Sequence, residues 1–107
     1  MGVMQYSIII AKLDPTIGSE IKKTRPCVVI SPPELNNHLN TVVVAPLTTS
    51  PKAYPTRVPV VFQNKKGFIA VDQIRTLDKK RILEILPPIS TQTIKKLKSV
   101  IQETFVA

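Results

Sequence analysis

Ten prolines and three glycines cut this chain into short runs, and between the cuts the residues are mostly apolar and β-branched. Proline lacks the N–H that continues a helix or a central strand, so long elements are blocked through most of the sequence. Short strands remain open, because each needs only a few pleated residues between two turns. Tyr6 to Leu13 reads as a first strand, and Asp14 to Ser19 as a loop with Gly18 as its natural site for positive φ. Pro26 to Ser31 carries the unbroken run Cys27-Val28-Val29-Ile30, the pattern of a strand buried on both faces. Ser31-Pro32-Pro33-Glu34 reads as the start of a short helix, capped by Ser31 and with Pro32 in its first turn. Thr41 to Ala45 reads as a strand stopped by Pro46. Arg57 to Phe62 reads as another, which Pro59 confines to an edge or a bulge. Asn64-Lys65-Lys66-Gly67 is a hairpin turn signal, with Phe68 to Val71 as the returning strand. Ile82 to Leu86 is a last strand, closed by Pro87-Pro88.

From Ser90 the period changes. Ile94, Leu97, Val100, Ile101 and Phe105 recur at helical spacing, with Lys95, Lys96, Lys98 and Gln102 on the other side. Ser90 or Thr91 can cap the start, and about three to four turns pack one stripe against the sheet. Many short strands and one terminal helix predict a mainly β fold with a C-terminal helix (α+β), built on a small, strongly bent sheet or partial barrel. With 107 residues there is room for one core, so residues 1–107 are expected to form a single domain.

Fifteen Lys and Arg stand against seven Asp and Glu, a formal charge of +8, so the domain should gather anionic partners. Nucleic acid, an acidic protein and a membrane surface are the candidates. The basic residues recur along the chain, at Lys22, Lys23 and Arg25, at Lys65 and Lys66, at Arg75 to Arg81, and at Lys95 to Lys98. That spread points to a folded basic surface rather than a disordered basic arm. Cys27 is the single cysteine, which fits a reducing, cytoplasmic setting. The run Ile8 to Ala11 is too short for a signal core, and nothing approaches the ~20 apolar residues of a membrane span.

The usual hydrolytic machinery does not fit. Acid–base cleavage by two histidines needs a pair, and His38 is the only histidine, in the polar stretch Asn36-Asn37-His38 of a solvated loop. The acids are scattered singly, with no cluster for two metals and no Cys/His spacing for zinc, so no metal and no cofactor is expected. No glycine-rich phosphate loop follows a strand. Cys27, inside an apolar run, reads as core rather than nucleophile. What remains is a set of Arg, Lys, Thr, Ser and Glu side chains at strand ends. Such groups can still cleave RNA, because the substrate brings its own 2′-OH nucleophile and the protein need only align it and stabilise the growing charge. An arginine suits that task, since its planar fork holds two phosphate oxygens at once.

Four ordered blocks carry a family resemblance. Gly18-Ser19-Glu20-Ile21-Lys22-Lys23-Thr24-Arg25-Pro26, running into Cys27 to Pro32, resembles the first signature of MazF/PemK-type toxins of type II toxin–antitoxin systems. Thr41 to Ser50, with Pro46-Leu47-Thr48-Thr49, resembles the second; Tyr54 to Pro59 and Gly67 to Thr76 resemble the third and fourth. The resemblance implies an SH3-like partial barrel of the MazF/CcdB kind, assembled as a homodimer. It also implies a sequence-specific mRNA interferase that cuts single-stranded RNA without metal, leaving 2′,3′-cyclic phosphate and 5′-hydroxyl ends. The expected partner is an acidic antitoxin, in keeping with the positive charge.

On the family's pattern, the catalytic arginine falls on Arg25 and the catalytic threonine on Thr48. Ser19, Glu20, Lys22, Lys23, Thr49 and Gln73 are the further candidates at the RNA. Gln73 either reads a base or braces the site. Considered alone, Arg25 would read as a surface salt bridge, with Glu20 as a candidate partner, and Thr48 as a turn hydroxyl bonding its own backbone. Strand alternation would let only one of Thr48 and Thr49 face the RNA. The run Gln5-Tyr6-Ser7-Ile8 departs from the family's usual Gly-Asp-Ile, and Pro87-Pro88 stands where many members have glycine. The alternative is a non-catalytic toxin of the CcdB kind, which binds DNA gyrase.

Overall fold

The computed structural model describes residues 2–13, 24–50 and 54–106. Among them are seven strands: β1 (Ser7–Lys12), β2 (Thr24–Val29), β3 (Thr41–Thr48), β4 (Arg57–Phe62), β5 (Lys65–Ala70), β6 (Arg75–Asp78) and β7 (Ile82–Pro88). Two helices join them, the single-turn α1 (Pro33–Asn36) and the long α2 (Thr91–Phe105). The strands form one antiparallel sheet in the order β4-β5-β3-β2-β1-β7, and β6 joins it by pairing with β3. The result is the mainly β half-barrel with a C-terminal helix that the sequence predicts.

Strands β1 to β3 form a central layer buried on both faces. Ile9, Ala11, Cys27, Val29, Val42, Val44 and Leu77 pack together on one side. Ile8, Val28, Ala45 and Leu47 face the other, against Val58, Val60 and Ile69 of the β4–β5 hairpin and Leu97 and Val100 of α2. The alternation through Cys27, Val28 and Val29 is the two-faced burial that the apolar run implies, and all three are fully buried. Helix α2 begins as expected, with the Ser90 hydroxyl accepting from the Thr93 N–H. Its stripe buries Leu97 and Val100, contributing ~1.5–3 kcal/mol each. Phe105 departs from the predicted stripe and stands exposed at the helix's end.

Three turn assignments change. Pro46 does not stop β3, which runs on to Thr48. On one side β3 pairs with β6 through residues 41–44 and with β5 through Leu47 and Thr48, so Pro46 sits where the partner changes and its missing N–H removes no rung there. The hairpin turn is Gln63-Asn64, both at positive φ (51° and 65°), two residues earlier than the Lys65-Lys66 centre of the Asn64–Gly67 signal. Lys65, Lys66 and Gly67 therefore lie within β5. Ser31 is not the cap of α1, whose N-cap residue is Pro32. Instead Ser31 is buried, donating to Asn36 Oδ1 at 2.5 Å and accepting from the Val43 N–H at 3.0 Å. Pro59 does lie on an edge strand, since β4 pairs with β5 alone at the end of the sheet. Pro88 likewise sits in a strand rather than closing one, opposite Ser7 on the other edge.

Candidate functional site

A cleft of about 360 Å³ opens between the ends of β2 and β3 and the β4–β5 hairpin. Its polar lining is Thr24, Arg25, Thr48, Thr49, Gln63, Lys65 and Lys66; Ile10, Pro26, Leu47, Val60 and Phe62 supply the apolar part. Arg25 sits near the start of β2, opposite Ala11 of β1. The β2–β3 ladder ends at Cys27↔Pro46, two residues short of both Arg25 and Thr48, and both of these residues line the cleft that opens there.

Arg25 is exposed, and Thr48 is half-buried. The Thr48 hydroxyl accepts from the Ser50 N–H at 3.1 Å, the local turn bond expected of a threonine in such a place. That bond uses an oxygen lone pair and leaves the O–H proton available to donate into the cleft. Thr49, exposed one residue past the end of β3, also lines the cleft. Strand alternation therefore does not govern this pair, because β3 ends at Thr48.

Lys65 and Lys66 complete a basic rim that the sequence reading assigns to a turn. Their signal is visible as a charged pair; what hides their place is the two-residue offset of the turn. Ser19, Glu20, Lys22 and Lys23 lie outside the described residues. Gln73, exposed on the 3-10 turn Val71–Gln73, is not among the residues lining the cleft. The brace at that corner is its neighbour. Asp72 takes Arg57 Nε at 2.8 Å, Arg57 Nη2 at 3.3 Å and the Thr56 hydroxyl at 2.9 Å. The Arg57 guanidinium also lies 5.2 Å from the centre of the Tyr54 ring. The hydrogen bond from Arg57, followed by that from Thr56, holds the Asp72 carboxyl below its ordinary range.

Cys27 is fully buried two residues from Arg25, and its thiol lies 3.8 Å from the Arg25 carbonyl. Burial pushes the thiol up to about 11, although the charges of Arg25 and Arg75 pull the other way, so at neutral pH it stays protonated. His38 is exposed in the turn after α1, away from the cleft lining. Among the described residues no three His, Cys, Asp or Glu side chains come together as a metal site would require. None of the described helices is long and apolar enough to cross a membrane.

Comparison with known proteins gives one consistent result. A family described as the PemK-like, MazF-like toxin of type II toxin–antitoxin systems matches residues 4–105. The Endoribonuclease toxin MazF of Escherichia coli (strain K12) is 37% identical over 70 residues, which span 65% of this chain and 63% of that protein. The match thus takes in a little under two thirds of that relative's length. The crystal structure of MazF (Form-I) from Deinococcus radiodurans superposes with a TM-score of 0.81 at 21% identity, covering 100% of this chain and 99% of that one. An endoribonuclease in complex with its cognate antitoxin, from a Mycobacterial species, superposes with a TM-score of 0.76 at 22% identity, over 94% of this chain and 91% of that one. At these identities the two structures establish the fold.

Proposed function

Because this chain belongs to the PemK-like, MazF-like toxins of type II toxin–antitoxin systems, we propose that it is a sequence-specific, metal-independent endoribonuclease acting on single-stranded mRNA. The observation that carries this reading is the meeting of Arg25 and Thr48 at one cleft whose rim is basic. The substrate's 2′-OH attacks the adjacent phosphorus, the P–O5′ bond breaks, and the ends are a 2′,3′-cyclic phosphate and a 5′-hydroxyl. Arg25 grips two phosphate oxygens through its fork and stabilises the charge that grows on the phosphorane. Thr48 donates a hydrogen bond from its hydroxyl to the same group and keeps its proton, and the hydrogen bond it accepts from Ser50 polarises the hydroxyl for that donation. Lys65 and Lys66 hold the flanking phosphates. Ser19, Glu20, Lys22, Lys23 and Thr49 contact RNA around the scissile bond. Gln73 is a candidate only at the periphery.

The working form in this proposal is a cytoplasmic homodimer, neutralised by an acidic antitoxin. The +8 charge supports that choice of partner, and the similar fold that carries its cognate antitoxin supports the pairing. The gyrase-poison alternative is not favoured: the family is that of the PemK-like, MazF-like toxins, and the curated relative is named an endoribonuclease toxin. The test is to incubate purified protein with a long single-stranded RNA in excess EDTA and map the cut ends. Cleavage at a short recurring sequence with 5′-hydroxyl ends is expected, and an absolute metal requirement would sink the mechanism.

A further inference from the structure

Gly67 stands inside β5, where a glycine weakens a strand unless another backbone passes close by. Here one does. A Cβ on Gly67 would lie 2.9 Å from the Thr48 carbonyl oxygen and 3.7 Å from its carbonyl carbon. A backbone oxygen has no rotamer by which to swing aside, so any side chain at position 67 must push the end of β3 away. Gly67 is not in the left-handed region, so conformational freedom is not what the position requires. Gly2 makes the contrast, since a Cβ there would meet nothing within 4 Å.

Thr48 is the last residue of β3 and pairs with Phe68, the residue after Gly67. Its main chain thus seats directly on the bare Cα of Gly67, while its hydroxyl turns back to the Ser50 N–H. We infer that Gly67 is the positioning residue for Thr48: its missing side chain lets the strand end settle where the hydroxyl shares the cleft with Arg25. The inference rests on Thr48 serving the cleavage site proposed above. Gly67 also lines the cleft itself, and the two effects of a side chain there separate cleanly. Filling space against RNA raises KM, whereas a displaced hydroxyl lowers kcat.

The experiment compares RNA cleavage by the unmodified protein, Gly67→Ala, Thr48→Ala, the double variant, and Gly2→Ala as a control. Gly67→Ala should lower kcat by about 10-fold or more, because an ångström of misplacement can cost ~100-fold. KM should hold within about twofold, Gly2→Ala should match the unmodified protein, and Gly67→Ala should cost nothing further in the Thr48→Ala background. An unchanged kcat, a change confined to KM, or a full additional loss on top of Thr48→Ala would each overturn the assignment. If Gly67→Ala is partly unfolded at the assay temperature, the assay is repeated in trimethylamine N-oxide, which favours the folded state. Full kcat returning with the fold would overturn the assignment, and a folded but slow protein supports it. Uninhibited cleavage by Thr48→Ala would instead bring down the reading of the cleft, and this inference with it.

Discussion

Two arginines in this chain follow a threonine and precede a proline by one or two residues: Thr24-Arg25-Pro26 and Thr56-Arg57-Val58-Pro59. The fold treats them in opposite ways. Arg57 is spent: its guanidinium is held by Asp72 and lies over the Tyr54 ring, and its side chain is only 8% exposed. That is the one ion pair among the described residues. Arg25 is exposed at a cleft lined by hydroxyls and two lysines, with no carboxylate among the described residues of the lining. A cation whose hydrogen bonds are filled by its own chain holds structure together. One set among other cations is placed to receive an anion from outside the described residues.

The largest effect that tests this contrast is on turnover. Arg25→Ala should cut RNA cleavage by about 100- to 1000-fold, the usual loss when one stabilising donor is removed, and leave the melting temperature nearly unchanged. Arg57→Ala should do the reverse. It strands the Asp72 carboxylate and removes the stacking on Tyr54, a loss of about 1 kcal/mol, or roughly 4–8 °C in Tm for a domain of this size, with cleavage per folded molecule retained. Thermal melts and initial rates on the same two preparations decide the matter. If both variants lost activity alike with Tm unchanged, the contrast would be broken.

The sequence could not separate these two arginines by local pattern, because the separation is made by tertiary contacts. Asp72 reaches Arg57 across the β4–β5 hairpin, and Arg25 and Thr48 share a cleft only once β2, β3 and the hairpin have come together. What local pattern did convey was the burial of Cys27, Val28 and Val29, the edge position of Pro59 and the period of α2, each of which depends on neighbours in sequence. Pro46 was misread because a strand that changes partners midway can accommodate a proline, and no single-strand pattern reveals the change. The shift of the turn to Gln63-Asn64 had a larger consequence. It moved Lys65 and Lys66 out of a solvated loop and onto the rim of the cleft. Gly67 was likewise taken for a turn glycine when its use is close approach to Thr48.

That rim sharpens the comparison at the level of binding. If the Arg25 side of the molecule is the anion-binding side, RNA affinity should fall steeply with added salt as counterions are released. Lys65→Ala and Lys66→Ala together should flatten the slope of log K against log salt by about one to two. Arg57→Ala should leave the slope alone, since its charge is already neutralised by Asp72. Filter binding of a non-cleavable RNA, with the 2′-OH removed at the scissile position, measures this without interference from turnover.

The smallest effect lies in the acid limb of stability. The guanidinium of Arg57 and, after it, the Thr56 hydroxyl favour the ionised form of Asp72, so its folded-state value is below the ordinary 3.8. A depressed carboxyl contributes stability that is fully present above the unfolded value and is lost as pH falls through the folded one. Arg57 is shifted upward by the same pairing, so its contribution persists well past neutral pH. The Tm difference between the unmodified protein and Asp72→Asn should therefore be flat from about pH 5 to 7 and shrink below about pH 4. The change should be modest, because the Asp72 side chain is 36% exposed and water screens the pair. Arg25→Ala measured alongside should show no such acid-limb difference, since none of the residues lining its cleft is a carboxylate that protonation could neutralise. A matching acid-dependent loss in Arg25→Ala would show that Arg25 too is tied to an acid of its own chain, and the division between a structural and a substrate-facing arginine would fail there.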